Sequence, residues 1–145
     1  MIGLLQRVTE ARVAIDGKVV ASIGRGLLVL VGVRPEDDEH AARRLLERLL
    51  KYRVFADDAG KMNLSLTQTA GGLLLVPQFT LAADTRKGLR PGFSTAAPPD
   101  LGRSLFEFLV SAARNQHGTV ESGVFGANMQ VSLINNGPVT IWLES

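Results

Sequence analysis

Two continuous apolar runs constrain the fold of this chain more than any other feature. Leu27–Val31 and Leu73–Val76 contain no polar residue, and glycines precede both runs. A strand with one face in water alternates apolar and polar residues, so an unbroken run predicts a strand that is covered on both faces. We therefore expect two buried strands that other elements cover.

Further strands follow from turn signals and from alternation. Asp16-Gly17 lies between two short β-type runs, and this pair predicts a tight hairpin. Met129–Ile134 alternates, and Val139–Leu143 is also typical of a strand, so the residues Asn135–Pro138 between them predict an ordinary turn with a trans proline bond. The remaining β segments are expected at residues 3–9, 53–55 and 120–124.

Two helices are expected. The first opens at Pro35–Glu39, where acidic residues suit a helix start, and leucines recur at helical spacing after Ala42. The second covers residues 101–114, with Asp100 as its cap. Because these helices do not alternate regularly with the strands, the pattern predicts one α+β domain over residues 1–145 with a mostly antiparallel sheet.

Composition excludes several classes of function. The chain has 145 residues and no cysteine, so disulfides, thiolate metal sites and a cysteine nucleophile are excluded. His40 and His117 do not have metal-ligand spacing, and no nucleophile elbow or phosphate-binding loop motif is present. We therefore expect no metal and no cofactor.

Charge and hydropathy limit the classes of partner that we expect for this chain. The net charge of +2 is too small to predict binding to duplex nucleic acid by charge alone, so we expect no DNA partner. The first residues do not form a signal peptide, and no apolar run is long enough to span a membrane. These features predict a soluble cytoplasmic protein with no membrane partner.

The segment Pro77–Leu81 is the first candidate site. An apolar strand stops at a proline and then exposes Gln78, Phe79 and Thr80. Polar groups at a strand end are well placed for binding, and the backbone N–H groups of Phe79 and Thr80 are candidate donors to an oxyanion. The same residues are also typical of an edge strand with a proline stop.

A basic loop follows this segment. Arg86, Lys87 and Arg90 place three cations within five residues of a glycine-containing stretch. This loop is a candidate for contacts with nucleic-acid phosphates, and an ordinary solvated loop accounts for it equally well.

These motifs together resemble the D-aminoacyl-tRNA deacylases, first described as D-tyrosyl-tRNA deacylases. The resemblance covers essentially the whole chain. The motifs that carry it are Leu5–Val8, Gly60–Ser65, Gln78–Leu81, Ala83–Gly88, Phe93-Ser94, Ala96–Pro99, Gly126–Leu133 and Asn136–Thr140.

The resemblance implies a compact, barrel-like α+β fold and a homodimer with its sites at the interface. Each site combines the catalytic segment Gln78–Thr80 of one subunit with Gly137 and Pro138 of the other, joined by a cis bond. That dipeptide leaves no room for an L side chain, and Arg7 and Met129 belong to the same substrate-binding group. The implied substrates are D-aminoacyl-tRNA and glycyl-tRNA.

One departure from the family pattern bears on mechanism. The family usually has serine where this chain has Pro77, which carries neither a hydroxyl nor an N–H group. Asn136 also replaces the more usual aspartate, whereas Thr80 is retained. Loss of the serine leaves open a second interpretation, that of a catalytically weakened tRNA-binding module.

Two mechanisms fit the sequence. In one, the Thr80 hydroxyl attacks the ester, which requires a base that the neighbouring residues do not supply. In the other, the protein positions the ester, the terminal 2′-hydroxyl of the tRNA activates a water, and backbone N–H groups near Phe79 stabilise the oxyanion. The scarcity of bases favours the second mechanism. An ordinary peptide or small-ester hydrolase is disfavoured because neither a triad nor a metal spacing is present.

Overall fold

A computed structural model describes residues 1–145. The strands are β1 (Ile2–Ile15), β2 (Lys18–Ile23), β3 (Gly26–Gly32), β4 (Phe55–Ala56), β5 (Met62–Leu64), β6 (Gly72–Pro77), β7 (Val120–Ser122) and β8 (Gln130–Glu144). The helices are α1 (Glu39–Lys51), α2 (Leu66–Thr69) and α3 (Pro99–Gln116), and a 3-10 turn covers Phe79–Ala82.

The long strand β1 organises the main sheet. It pairs antiparallel with β8 along one edge, and with β3 and then β2 along the other. Parallel pairing continues from β3 to β6 and from β6 to β7. Because β2 also contacts β6 and β7, the sheet curls toward closure, and the predicted barrel-like α+β fold is confirmed.

The two apolar runs that dominate the sequence lie on β3 and β6, and they supply two cores. Leu27, Val29, Leu73 and Leu75 face α1 and α3 and belong to the larger core. Leu28, Leu74 and Val76 point the other way, into the interior of the curled sheet. Both faces of these strands are therefore buried, as the unbroken runs predict.

β3 and β6 approach each other closely at their first residues. A Cβ atom on Gly26 would lie 1.9 Å from the carbonyl oxygen of Gly72, so only glycine fits there. This close approach brings the parallel pair into register, and that register places Pro77 beside Val31 at the far end.

Both predicted helices are present, with two differences at their starts. α1 begins at Glu39 rather than directly after Pro35, because the Asp38 side chain caps it by accepting from the Ala41 N–H group at 2.8 Å. Asp100 does not cap α3, so that prediction was wrong. The helix starts two residues earlier than predicted, at Pro99, whose fixed φ suits the first helical position. None of the helices combines the length and the apolar character needed to cross a membrane.

The turn predicted at Asn135–Pro138 was also wrong. β8 runs continuously from Gln130 to Glu144, and both of its halves pair with β1. Thr140 pairs with Gln6 and Asn135 with Val8, so the intervening four residues form a wide bulge opposite Arg7. The chain direction does not reverse because the same partner strand continues on both sides of the bulge.

Candidate active site

The first candidate segment begins where β6 ends. The Gln78 N–H group donates to the Val31 carbonyl at 2.8 Å, which extends the sheet by one residue. Gln78 then leaves the extended conformation, with φ −143° and ψ 81°, and the chain turns into the 3-10 segment. Phe79 and Thr80 are exposed as a result.

Two backbone donors are unpaired at this turn. The first residues of a helix have no preceding turn to accept from their N–H groups, and here those residues are Phe79 and Thr80. The next N–H group, on Leu81, donates to the Gln78 carbonyl at 3.2 Å. Two adjacent N–H groups are therefore free to donate to an oxygen atom outside the chain.

The Thr80 hydroxyl has an amide neighbour and no base. The Gln78 Nε2 group donates to Thr80 Oγ1 at 2.5 Å. No carboxylate or imidazole is hydrogen-bonded to that hydroxyl. An amide NH₂ group supplies protons to a hydrogen bond and does not remove one from threonine, so this pairing fixes the Thr80 rotamer without activating its oxygen.

An apolar pocket of about 260 Å³ opens beside Phe79. Its other lining residues are Pro77, Ala97, Pro99, Phe125 and Gly126. The Phe79 ring packs against the Phe93 ring with centroids 5.0 Å apart at 55°.

Sequence reasoning from the residues alone did not find Phe93 or Phe125. Both are distant from Gln78 along the chain, and the only sequence signal is that motifs of the family resemblance include Phe93 and begin directly after Phe125.

Met129 lies on this side of the molecule. Its Sδ atom accepts from the Val124 N–H group at 3.3 Å. A Cβ atom on Gly123 would lie 2.7 Å from Met129 Sδ and 3.3 Å from Pro77 Cδ, so the two side chains flank that glycine. Met129 therefore lies beside Pro77, next to the segment that carries Gln78–Thr80.

The second candidate segment is the bulge of β8. The Gly137–Pro138 bond is cis, so the resemblance gave the correct isomer and the trans expectation from residue pattern was wrong. Gly137 has a φ of +131°, and both residues are exposed. Gly137 and Pro138 lie at the outer edge of the sheet, because β8 pairs only with β1.

Arg7 holds this bulge in place. Its Nε atom donates to the Asn136 carbonyl at 2.8 Å, and its Nη1 atom donates to the Val54 carbonyl at 2.5 Å. A Cβ atom on Gly137 would lie 2.9 Å from Arg7 Nη2. Arg7 thus ties the bulge to the segment before β4, and its guanidinium fills the space beneath Gly137.

This support predicts the effect of Arg7→Met. The substitution keeps an unbranched stem but leaves the Asn136 and Val54 carbonyls without a donor, which we expect to lower the free energy of unfolding by about 1–3 kcal/mol. Urea denaturation measures the change. Arg12→Met on the same strand is the control, because the Arg12 side chain is exposed and makes no hydrogen bond. An equal loss in both variants would contradict a specific role for Arg7.

The two groups of predicted residues do not meet within one chain. β8 and β6 are separated by β1 and β3, and three strand spacings of about 4.8 Å amount to about 14 Å across the sheet. No hydrogen bond joins Gln78–Thr80 to Asn136–Pro138. The chain therefore presents two separate candidate segments, one at the end of β6 and one on the β8 bulge, and we refer to them as half-sites.

Asp84 holds the basic loop in place. Asp84 and Gly92 exchange backbone hydrogen bonds at 2.8 and 2.9 Å, which closes the loop at its base. The Arg86 guanidinium donates to both Asp84 carboxylate oxygens, at 2.9 and 2.8 Å, and holds the pKa of that carboxyl well below its usual value. Lys87 and Arg90 are exposed and make no ion pair.

The known proteins that resemble this chain match it along almost its whole length. The family model described as D-Tyr-tRNA(Tyr) deacylase matches residues 4–144. A D-aminoacyl-tRNA deacylase of Thioalkalivibrio sulfidiphilus is 63% identical over 144 residues, covering 99% of this chain and 97% of its relative. Its counterpart in Pseudomonas fluorescens is 63% identical over 145 residues and covers 100% of both chains.

Solved structures share the fold. A structure named c-Myc DNA Unwinding Element Binding Protein superposes with a TM-score of 0.96 at 36% identity, covering 100% of this chain and 99% of its own. A second, described as a probable eukaryotic D-amino acid tRNA deacylase, has a TM-score of 0.85 at 20% identity and covers 99% of this chain and 98% of its own. At that identity the second likeness concerns the fold alone.

Proposed function

The chain belongs to the D-Tyr-tRNA(Tyr) deacylase family, and from this membership we propose that it hydrolyses the ester bond between a D-amino acid and the 3′ end of tRNA. The observation that carries the proposal is the 63% identity to D-aminoacyl-tRNA deacylases over the full chain. The enzyme is thus an aminoacyl-tRNA ester hydrolase, and residues 1–145 act as one domain in the cytoplasm.

The free N–H groups of Phe79 and Thr80 stabilise the oxyanion. Water attacks the ester carbonyl carbon, and the resulting negative oxygen lies between the two donors. The bond from the carbonyl carbon to the ribose oxygen then breaks, and that oxygen takes up a proton. The 2′-hydroxyl of the terminal ribose activates the water, because Thr80 has only the Gln78 amide beside it.

The apolar pocket beside Phe79 receives the terminal base of the tRNA. Its lining is aromatic, proline and alanine side chains with no charge, a surface on which a base stacks without sequence-specific hydrogen bonds. A base stacked there places its attached ribose, and therefore the ester, next to the donors of Phe79 and Thr80.

The L enantiomer is rejected by Gly137 and Pro138 of a second copy of the chain. Both enantiomers carry the same groups, so a rigid obstacle discriminates better than an attractive contact. Arg7 supplies the rigidity through its two hydrogen bonds. Glycine has no side chain to exclude, so glycyl-tRNA is also a substrate.

A homodimer brings the half-sites together. In one chain the two groups are three strands apart, and β8 leaves its outer edge unpaired over a long strand. Ile134 and Trp142 on β8 are 54% and 47% exposed. An unpaired edge with exposed apolar residues favours contact with another copy.

The basic loop contacts the phosphates of the tRNA. Lys87 and Arg90 carry this contact, because their charges are unpaired, whereas Arg86 is already neutralised by Asp84. The loop follows the catalytic segment directly, so it reaches the acceptor stem while the ester occupies the site.

Deacylation of matched esters tests the proposal. We expect the protein to release D-tyrosine from D-tyrosyl-tRNA and glycine from glycyl-tRNA, and to leave L-tyrosyl-tRNA intact. Absence of turnover with both the D ester and the glycyl ester would overturn the enzyme assignment. Binding without turnover would instead favour the weakened tRNA-binding module, for which Pro77 in place of serine is the supporting observation.

Thr80→Ala separates the two mechanisms. The substitution removes the hydroxyl and keeps the backbone N–H group, so we expect kcat for D-tyrosyl-tRNA to stay within about fivefold of the parent value. Thr80→Ser, which restores the hydroxyl, is the matched control in the same steady-state assay. A loss of about a thousandfold or more in Thr80→Ala alone would establish the threonine as the nucleophile.

A further inference from the structure

A second groove borders the apolar pocket. It has a volume of about 470 Å³ and lies between α3 and the chain that follows β7. We call it the α3 groove, and its polar and aromatic lining residues are Arg103, Glu107, Ser111, Arg114, Ser122 and Phe125. Phe125 lines both the groove and the pocket beside Phe79, so the two cavities adjoin at this ring.

The two arginines of the α3 groove are free to bind an anion. Both are exposed, and neither forms an ion pair or a hydrogen bond within the chain. Glu107 lies on the same helix face between them and pairs with neither. Arg34, Arg43 and Arg86 elsewhere on the surface do contact carboxylates, whereas the two arginines of this groove line one cavity with their charges unpaired.

The positions of these arginines fit a linear anion. Arg103 and Arg114 are eleven residues apart on one continuous helix, which corresponds to about 16 Å at 1.5 Å per residue. The Arg103 guanidinium lies 5.1 Å from the centre of the Phe125 ring, at the point where the groove meets the pocket. Stacking on that ring holds one cation at the pocket entrance, and the second cation lies further along the groove.

We propose that the α3 groove binds the phosphodiester backbone of the single-stranded 3′ end of tRNA. Arg103 binds the phosphate next to the terminal nucleoside, and Arg114 binds a phosphate further from the end. Guanidinium groups match phosphate oxygens in pairs, and Ser111 and Ser122 add hydroxyl donors along the groove. This assignment rests on the proposed function, because it takes the terminal base to lie in the neighbouring pocket.

Two substrates that share the ester but differ in backbone test the assignment. D-tyrosyl-tRNA carries the phosphates, whereas the D-tyrosyl ester of adenosine carries none. For Arg114→Gln we expect KM for D-tyrosyl-tRNA to rise about three- to tenfold with kcat unchanged. The slope of log KM against log salt concentration should become shallower by about 0.7. Hydrolysis of the adenosine ester should not change.

Two further variants serve as controls for Arg114→Gln. Arg114→Lys keeps the positive charge, so its KM for D-tyrosyl-tRNA should lie close to the parent value. Arg44→Gln removes an exposed, unpaired arginine from α1 and should leave both substrates unaffected.

An unchanged KM for tRNA in Arg114→Gln would overturn the assignment, as would an equal loss with both substrates, since the effect would then not depend on phosphates. Failure of the unsubstituted protein to hydrolyse either D ester would instead count against the proposed function.

Discussion

Phe79→Pro is expected to lower kcat for D-tyrosyl-tRNA about 100- to 1,000-fold relative to Phe79→Ala. Both substitutions remove the ring that borders the apolar pocket. Proline alone also removes a backbone N–H group, one of the two unpaired donors at the end of β6. The ratio of the two kcat values therefore reports what that single donor contributes to stabilising the oxyanion.

The local backbone makes this comparison feasible. Residue 79 is the first position of the 3-10 turn, where proline is well tolerated because the N–H group has no partner within the turn. The two variants should therefore have similar unfolding midpoints in urea, which controls for misfolding. Equal kcat values in Phe79→Pro and Phe79→Ala would contradict a catalytic role for this N–H group.

Gly137→Ala is expected to lower kcat/KM for D-tyrosyl-tRNA about 100-fold. The added Cβ atom would lie 2.9 Å from Arg7 Nη2 and 3.1 Å from the Val139 nitrogen. Arg7 cannot move aside cheaply, because two hydrogen bonds anchor its guanidinium. The φ of +131° also lies in a region that residues with a side chain rarely adopt. The bulge must shift, and with it the obstacle that we propose it presents to the substrate.

Gly17→Ala is the matched control for this prediction. Gly17 also has a positive φ, of +77°, but no atom lies within 4 Å of the position that its Cβ would occupy. It lies in the β1–β2 turn, away from both half-sites. We expect Gly17→Ala to lose stability by about 1–3 kcal/mol and to keep its kcat/KM. Parent-like kinetics in Gly137→Ala would show that the shape of the bulge does not matter.

The parts of the fold that could be predicted are those that local sequence decides. The unbroken runs at Leu27–Val31 and Leu73–Val76 alternate between two cores, so their own composition reveals burial on both faces. The leucines of α1 recur at helical spacing, so their positions in the sequence likewise reveal which face of the helix is buried. In these segments the neighbours along the chain carry the physical signal.

The β8 bulge could not be predicted because a distant strand determines it. Asn135–Pro138 has the composition of a turn, yet β1 pairs with the residues on both sides and keeps the chain running in one direction. The start of α3 shows the same limit on a smaller scale. Asp100 is a good cap by residue type, but Pro98 is already extended and Pro99 already helical.

The candidate site was predictable only in part. The proline stop at Pro77 indicated a strand end that exposes Gln78, Phe79 and Thr80. In the structure the strand ends there, with Phe79 and Thr80 exposed and Gln78 half-buried. Arg7 contacts the Asn136 carbonyl across 129 positions of sequence, so no local pattern indicates it, and only the family resemblance did so. The grouping of Met129 with Pro77 was not expected, because it depends on how the end of β7 packs against the start of β8.

Subunit mixing tests most directly whether each active site is shared between two copies of the chain. Phe79→Pro and Gly137→Ala should each be nearly inactive alone. In a mixed dimer, one of the two sites combines the intact Gln78–Thr80 segment of one copy with the intact Gly137–Pro138 segment of the other. Random exchange should therefore restore about a quarter of the parent activity on D-tyrosyl-tRNA. If both segments act within one chain, exchange would restore no activity, and that result would contradict the shared site.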